Sequence, residues 1–237
     1  LKFCEVAIVL EKWLMDLMRQ LDGKSGVTQE RAEEFAQEEE DHTTVFWMLL
    51  QASVPNRYRN GSGWLVGHSV PFWMTALTRI PFFTLFWTFL ALYCEERFLT
   101  LNHLISKSES IDPLHRAVHE YHFLEEVRHV SDGEKLWKAA IQGASPFKKW
   151  VNASLMRMFF KQAYMRVNDG KKLWGHAQGL SQQDLDTLKV LESELPAFVG
   201  SPIHREMMFS KESHPRTTRA LSRDPIFNRV LGDLCQT

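Results

Sequence analysis

The chain reads as all-α, and three observations carry that expectation. Long segments place apolar residues at i, i+3, i+4 and i+7, the spacing of a helix face. No stretch alternates apolar and polar residues as a half-buried strand would. Finally, Glu-Glu-x-x-His occurs twice, at 38–42 and 125–129, and that spacing joins side chains only on a helix, where i and i+3 share a face. The expected architecture is a four-helix bundle core over 1–143 with additional C-terminal helices over 144–237, in a single helical domain.

The elements follow in order. A first helix runs from Lys2 to about Leu21, with Phe3, Ala7, Leu10, Leu14, Leu17 and Leu21 as its apolar stripe. Asp22–Gly26 turns the chain, and Thr28 is placed to cap a second helix that reaches about Gln51 and carries Glu39 and His42. Residues 54–69, with Pro55, Gly61, Gly63 and Gly67, read as a connector. A third helix, broken near Pro81, holds Glu95 and Glu96. Its apolar run from Ile80 to Cys94 is 15 residues long, short of the roughly 20 that a membrane span needs, so it reads as a helix buried within the bundle. Asp112-Pro113 opens a fourth helix that extends to about Gln142. Beyond Gly143, Ser145-Pro146 starts a helix through about Val167, Ser181 with Asp184 starts another, and Asp224-Pro225 opens a last short one. Residues 201–222 read as polar and irregular.

Composition excludes several classes. A net charge of −1 gives no attraction to nucleic acid or to an anionic membrane. Three dispersed cysteines, Cys4, Cys94 and Cys235, make neither a disulfide framework nor a zinc knuckle, and point to a reducing, cytoplasmic setting. No segment reads as a signal peptide. Sixteen Phe and eight Trp suit an aromatic-walled interior. No P-loop, nucleophile elbow or dinucleotide fingerprint occurs, and His119-Glu120-Tyr121-His122 lacks the second histidine spacing of a zinc protease.

What remains is His122-Phe-Leu-Glu-Glu126-Val-Arg-His129, which places two imidazoles and a carboxylate on one helix face within about 60°. Glu39 and His42 repeat half of it. Two Glu-x-x-His helices, with one Glu from each of two further helices, are the ligand set of carboxylate-bridged di-iron bundles. Carboxylates buried without a cation would cost several kcal/mol each, so acidic residues inside an apolar bundle imply a metal. The third helix must then supply one more Glu and the first helix another. His103, His115 and His119 read as surface or packed histidines, and Tyr93 and Tyr121 as core residues.

Ile111-Asp-Pro-Leu-His115 followed by Tyr121–His129, together with Glu39-Glu-Asp-His42-Thr43, resembles the helix signatures of the AurF-like p-aminobenzoate N-oxygenases. Over residues 1–140 the resemblance implies a ferritin-like fold and a centre of two iron ions, with manganese as the alternative metal. It implies the ligands Glu5, Glu39, His42, Glu95, His122, Glu126 and His129, with Glu95 standing 27 residues before His122 and Glu5 standing 34 before Glu39; Glu11, nearer the apolar stripe of the first helix, competes with Glu5, and Glu96 with Glu95. Glu38 and Glu125 are candidates to orient imidazoles on facing helices. The implied reaction is O2 activation at the reduced centre and oxidation of an arylamine nitrogen, with a small-molecule substrate, an external electron donor, no membrane span and a homodimer. A di-iron C–H hydroxylase or desaturase, and a non-enzymatic iron-storage bundle, are the alternatives.

Overall fold

The computed structural model describes residues 2–20, 28–58, 78–166, 182–199, 201–202, 204 and 208–236. Every regular element among them is helical. They are α1 (Lys2–Gln20), α2 (Gln29–Ser53), the single turn α3 (Pro55–Tyr58), a 3-10 turn (Pro81–Phe83), α4 (Thr84–Lys107), α5 (Pro113–Gln142), α6 (Pro146–Arg166), α7 (Gln182–Val199), α8 (Pro215–Ser222) and α9 (Pro225–Gln236). The chain divides into two compact units, Leu1–Lys149 and Trp150–Thr237.

The first unit is built from two helical pairs, α1 with α2 and α4 with α5, joined by contacts of α2 with α5 and of α1 with α4. Local signals set the helix ends. The Thr28 hydroxyl accepts from the Arg31 amide at 3.2 Å, and the Asp112 carboxylate accepts from the Leu114 amide at 2.8 Å; each satisfies an orphan donor of a first turn. Helix α2 runs through Ser53 and stops at Val54, the residue before Pro55, where proline disfavours helical backbone.

Helices α4 and α5 run antiparallel. As α4 is followed backward through Asn102, Glu95 and Leu92, its partners on α5 advance through His122, His129 and Gly133. Gly133 permits this approach: a Cβ there would lie 3.1 Å from the Leu92 Cα. From Trp87 to Glu96 every residue of α4 is buried, as expected of a helix packed on all sides. Among the described residues no helix is long and apolar enough to cross a membrane.

On α1 the buried face comprises Cys4, Ala7, Ile8, Trp13, Leu14, Leu17 and Met18, with Phe3 and Leu10 only partly covered. Cys4, Ala7 and Ile8 share a cluster with Phe46, Leu49, Leu50, Tyr58 and Phe98. The face is thus turned slightly from the expected stripe, and Glu11 lies within it.

The second unit is described by itself. Phe160 meets Phe209 edge-on at 5.4 Å, and Phe209 stacks on His214 at 5.2 Å. Two expectations need correction. Residues 201–222 are not irregular throughout, because Pro215 opens α8, whose Thr217, Ala220 and Leu221 are buried on one face. Tyr121 is no core residue, being 43% exposed, whereas Tyr93 is buried. The expected connector over 54–69 begins instead with α3, and its remainder from 59 lies outside the described residues.

Candidate dinuclear metal centre

Four helices deliver acidic and imidazole side chains to the buried centre of the first unit. Glu11 from α1, Glu39 and His42 from α2, Glu95 from α4, and His122, Glu126 and His129 from α5 are each at most 1% exposed. Ligand atoms of Glu11, His42, His122 and Glu126 lie within 4.8 Å of one another. So do those of Glu39, His42 and His129, and those of Glu95, Glu126 and His129. Glu126 and His129 each belong to two of these groups, as does His42. The overlapping groups run from Glu11 and His122 at one end to Glu95 and His129 at the other.

The atoms aim at common points rather than at each other. Nε2 of His122 lies 2.6 Å from Glu126 Oε1 and 3.2 Å from Glu11 Oε1, yet it makes no hydrogen bond of proper geometry. Both oxygens of Glu11, Glu95 and Glu126, Oε1 of Glu39 and Nδ1 of His129 are likewise buried without a hydrogen-bond partner. Such groups cost free energy unless they are satisfied, and a pair of cations satisfies all of them. Four carboxylates balance the charge of two divalent ions. The donor set therefore fits a dinuclear metal group.

The far side of each imidazole is held. Nε2 of His42 lies 2.8 Å from Glu125 on α5, and Nε2 of His129 lies 2.9 Å from Glu38 on α2. Each acidic residue that precedes a Glu-x-x-His therefore reaches across to the histidine of the opposite helix. In each case Nδ1 remains turned to the centre, 3.3 Å from Glu39 for His42 and 3.0 Å from Glu39 for His129. Glu38 is in turn gripped by Arg31 at 3.1 Å and Arg128 at 3.0 Å, while Arg31 also binds Asp132 at 2.8 Å. Nδ1 of His122 lies 2.5 Å from the amide nitrogen of Asn102, whose oxygen is 2.6 Å from Nδ1 of His119. Rings of Phe35 and Phe46 pack at 4.2 and 4.9 Å against His129 and His122.

The protonation pattern of the metal-free cluster follows from these contacts. Burial opposes a charge on His129, but Glu39 and Glu38 outweigh it and raise its pKa well above the ordinary histidine value. Burial likewise opposes ionisation of Glu39, yet His129 and His42 bring it down to about 2. The hydrogen bond from His129 leads in lowering Glu38 to about 2, with Arg31 helping against burial. Burial, reinforced by Glu95, pushes Glu126 well above the carboxylate range. Burial and the neighbouring His42 push His122 well below 6.5, so it stays a neutral imidazole.

Of the candidates read from sequence, Glu39, His42, Glu95, His122, Glu126 and His129 converge, and Glu38 and Glu125 flank them. Glu5 does not join the donor groups. Its carboxylate accepts from the Tyr58 hydroxyl at 2.5 Å, and Glu11 stands at the cluster instead. The reason is register: Glu11 falls within the buried stripe of Ile8, Leu14 and Met18, whereas Glu5 points to the side where α3 brings Tyr58. Glu96 is buried but lies outside the donor groups. Asn102 escaped sequence reading, although an asparagine two turns after Glu95 on an apolar helix was a usable signal.

Neither the curated proteins nor the solved structures contain a match to the chain. The family model described as p-aminobenzoate N-oxygenase AurF matches residues 3–169, which takes in all four helices of the cluster. The chain belongs to the AurF p-aminobenzoate N-oxygenase family, whose members are oxidoreductases.

Proposed function

We propose that the chain is a di-iron N-oxygenase that oxidises the nitrogen of an arylamine. The observation that carries this reading is the third imidazole, His122, set beside Glu11 and Glu126 in a cluster that otherwise follows the two Glu-x-x-His pattern. In the proposed ligation Glu11, Glu39, Glu95, Glu126, His42, His122 and His129 would hold the two irons. Two ferrous ions bound there supply the electrons and the binding position for O2. An external electron donor re-reduces the centre, because the sequence carries no nicotinamide or flavin fingerprint.

The chain's own residues have definable tasks. Glu38 and Glu125 fix the ring orientation of His129 and His42 and raise their basicity as ligands. Asn102 sets its amide nitrogen against Nδ1 of His122 and so holds the position of that ring. Phe35 and Phe46 shield the imidazoles from water, which keeps the local dielectric low and strengthens every charge interaction inside. Glu126, held protonated by burial when no cation is near, gives up a proton as the centre loads. The family match supports nitrogen over carbon as the atom oxidised. The test is incubation of iron-loaded protein with O2, a chemical reductant and a panel of arylamines, followed by mass spectrometry. Hydroxylamine, nitroso or nitro products are expected. Hydroxylation of ring or alkyl carbons alone would overturn the assignment.

A further inference from the structure

We propose that Cys4, His115 and His119 form a separate mononuclear site for a zinc-type divalent ion. One ligand atom from each of the three lies within 4.8 Å of the other two. His115 and His119 stand one turn apart on α5 and so share a face, and Cys4 reaches them from α1. These residues are distant in sequence, which is why the cysteines read alone gave no metal signature.

The chemistry of the two centres differs. The dinuclear cluster offers carboxylates and imidazoles, a hard set suited to iron. Here a thiolate and two imidazoles replace them, a set that suits zinc. Both imidazoles are already anchored on one nitrogen: Nδ1 of His119 by the Asn102 oxygen at 2.6 Å, and Nε2 of His115 by the Ser53 hydroxyl at 2.9 Å. An oxygen partner on one ring nitrogen, with the other left for the metal, is the usual arrangement of a ligating histidine. Zinc bonds of about 2.0–2.3 Å set tetrahedral donors roughly 3.5 Å apart, so the three groups need only a modest side-chain contraction. Cys4 and His119 are 1% and 2% exposed, while His115 is only partly buried. A water reaching the ion past partly buried His115 would complete its coordination. On binding, the Cys4 S–H bond breaks, its proton passes to solvent and a sulfur–metal bond forms. Asn102 bridges His119 to His122, so the ion would sit two hydrogen bonds from the dinuclear centre.

The experiment is titration of iron-loaded protein with Co(II) as a probe for zinc, read by near-ultraviolet absorption. A thiolate-to-cobalt charge-transfer band arises only from a sulfur ligand, and the dinuclear cluster contains none, so the readout is independent of whether that cluster binds iron. One cobalt per chain with this band, displaced by Zn(II) and lost in both Cys4→Ser and His115→Gln while iron content is unchanged, is expected. Absence of the band, or its survival in either variant, overturns the proposal. Should Cys4→Ser fail to fold, His115→Gln at its partly exposed position decides alone.

Discussion

Glu39 and Glu126 both face Nδ1 of His129, at 3.0 and 3.8 Å, yet replacing each by glutamine has unequal consequences in metal-free protein. Glu39 is ionised, held at about 2, and faces Nδ1 of His129 at 3.0 Å. Glu39→Gln takes from the His129 cation its nearest buried carboxylate, leaving Glu38 at 2.9 Å and Glu95 at 3.7 Å, at a cost of about 2 kcal/mol for a buried partner left unsatisfied. For a chain of this length that is a fall in Tm of about 4–8 °C. Burial and Glu95 push Glu126 well above the carboxylate range and so favour its neutral form; the amide of Glu126→Gln has the same shape as that carboxyl, and its effect should stay within about 0.5 kcal/mol. With iron the two variants converge. Each ion held at a hundred times its Kd stabilises the wild-type protein by about 2.7 kcal/mol, and both variants forfeit most of that gain. Thermal unfolding of chelator-treated and iron-loaded samples measures all of these quantities. The reasoning is refuted if metal-free Glu126→Gln melts as low as metal-free Glu39→Gln.

Three further outcomes are expected. Glu11→Ala should reduce bound iron to one ion per chain or fewer, whereas Glu5→Gln should keep both and weaken the Tyr58 hydrogen bond, about 1 kcal/mol; elemental analysis separates them. Gly133→Ala should drive a methyl against the Leu92 backbone, costing about 1–3 kcal/mol by overpacking, and should weaken iron retention because Glu95 and His129 lie one turn away on the two helices. The third outcome concerns pH. Glu38 has a folded pKa of about 2 against an ordinary 4.5, so its contribution to metal-free stability is complete above pH 4.5 and fades as pH falls toward 2. Glu38→Gln should therefore flatten the acid side of the stability curve, as read by denaturant unfolding across that range.

The bundle was legible because long amphipathic stretches and strong caps coincide. Thr28 and Asp112 sit where an orphan amide needs an acceptor, and Glu-x-x-His on α2 and α5 has an obvious face. The α1 carboxylate at the cluster was harder to read. Glu5 and Glu11 are both buried, and only three-dimensional register separates the carboxylate paired with Tyr58 from the one at the cluster. Tyr58 itself lay in a stretch read as a connector, because a four-residue helix leaves no periodicity to detect. The crossed pairs Glu38–His129 and Glu125–His42 span helices, so sequence could nominate the carboxylates but not their partners. Helix α8 was missed because Thr, Arg and Ser dominate it, and its buried face rests on Thr217, Ala220 and Leu221 alone.

The most direct measurement is the iron content of anaerobically Fe(II)-loaded protein, with Mössbauer spectra to resolve the two ions. The account requires two irons per chain in distinguishable environments, with the iron ligated by His122 lost or altered in His122→Ala. One iron or none in the wild-type chain, or two that are indifferent to His122→Ala and Glu126→Ala, would contradict it.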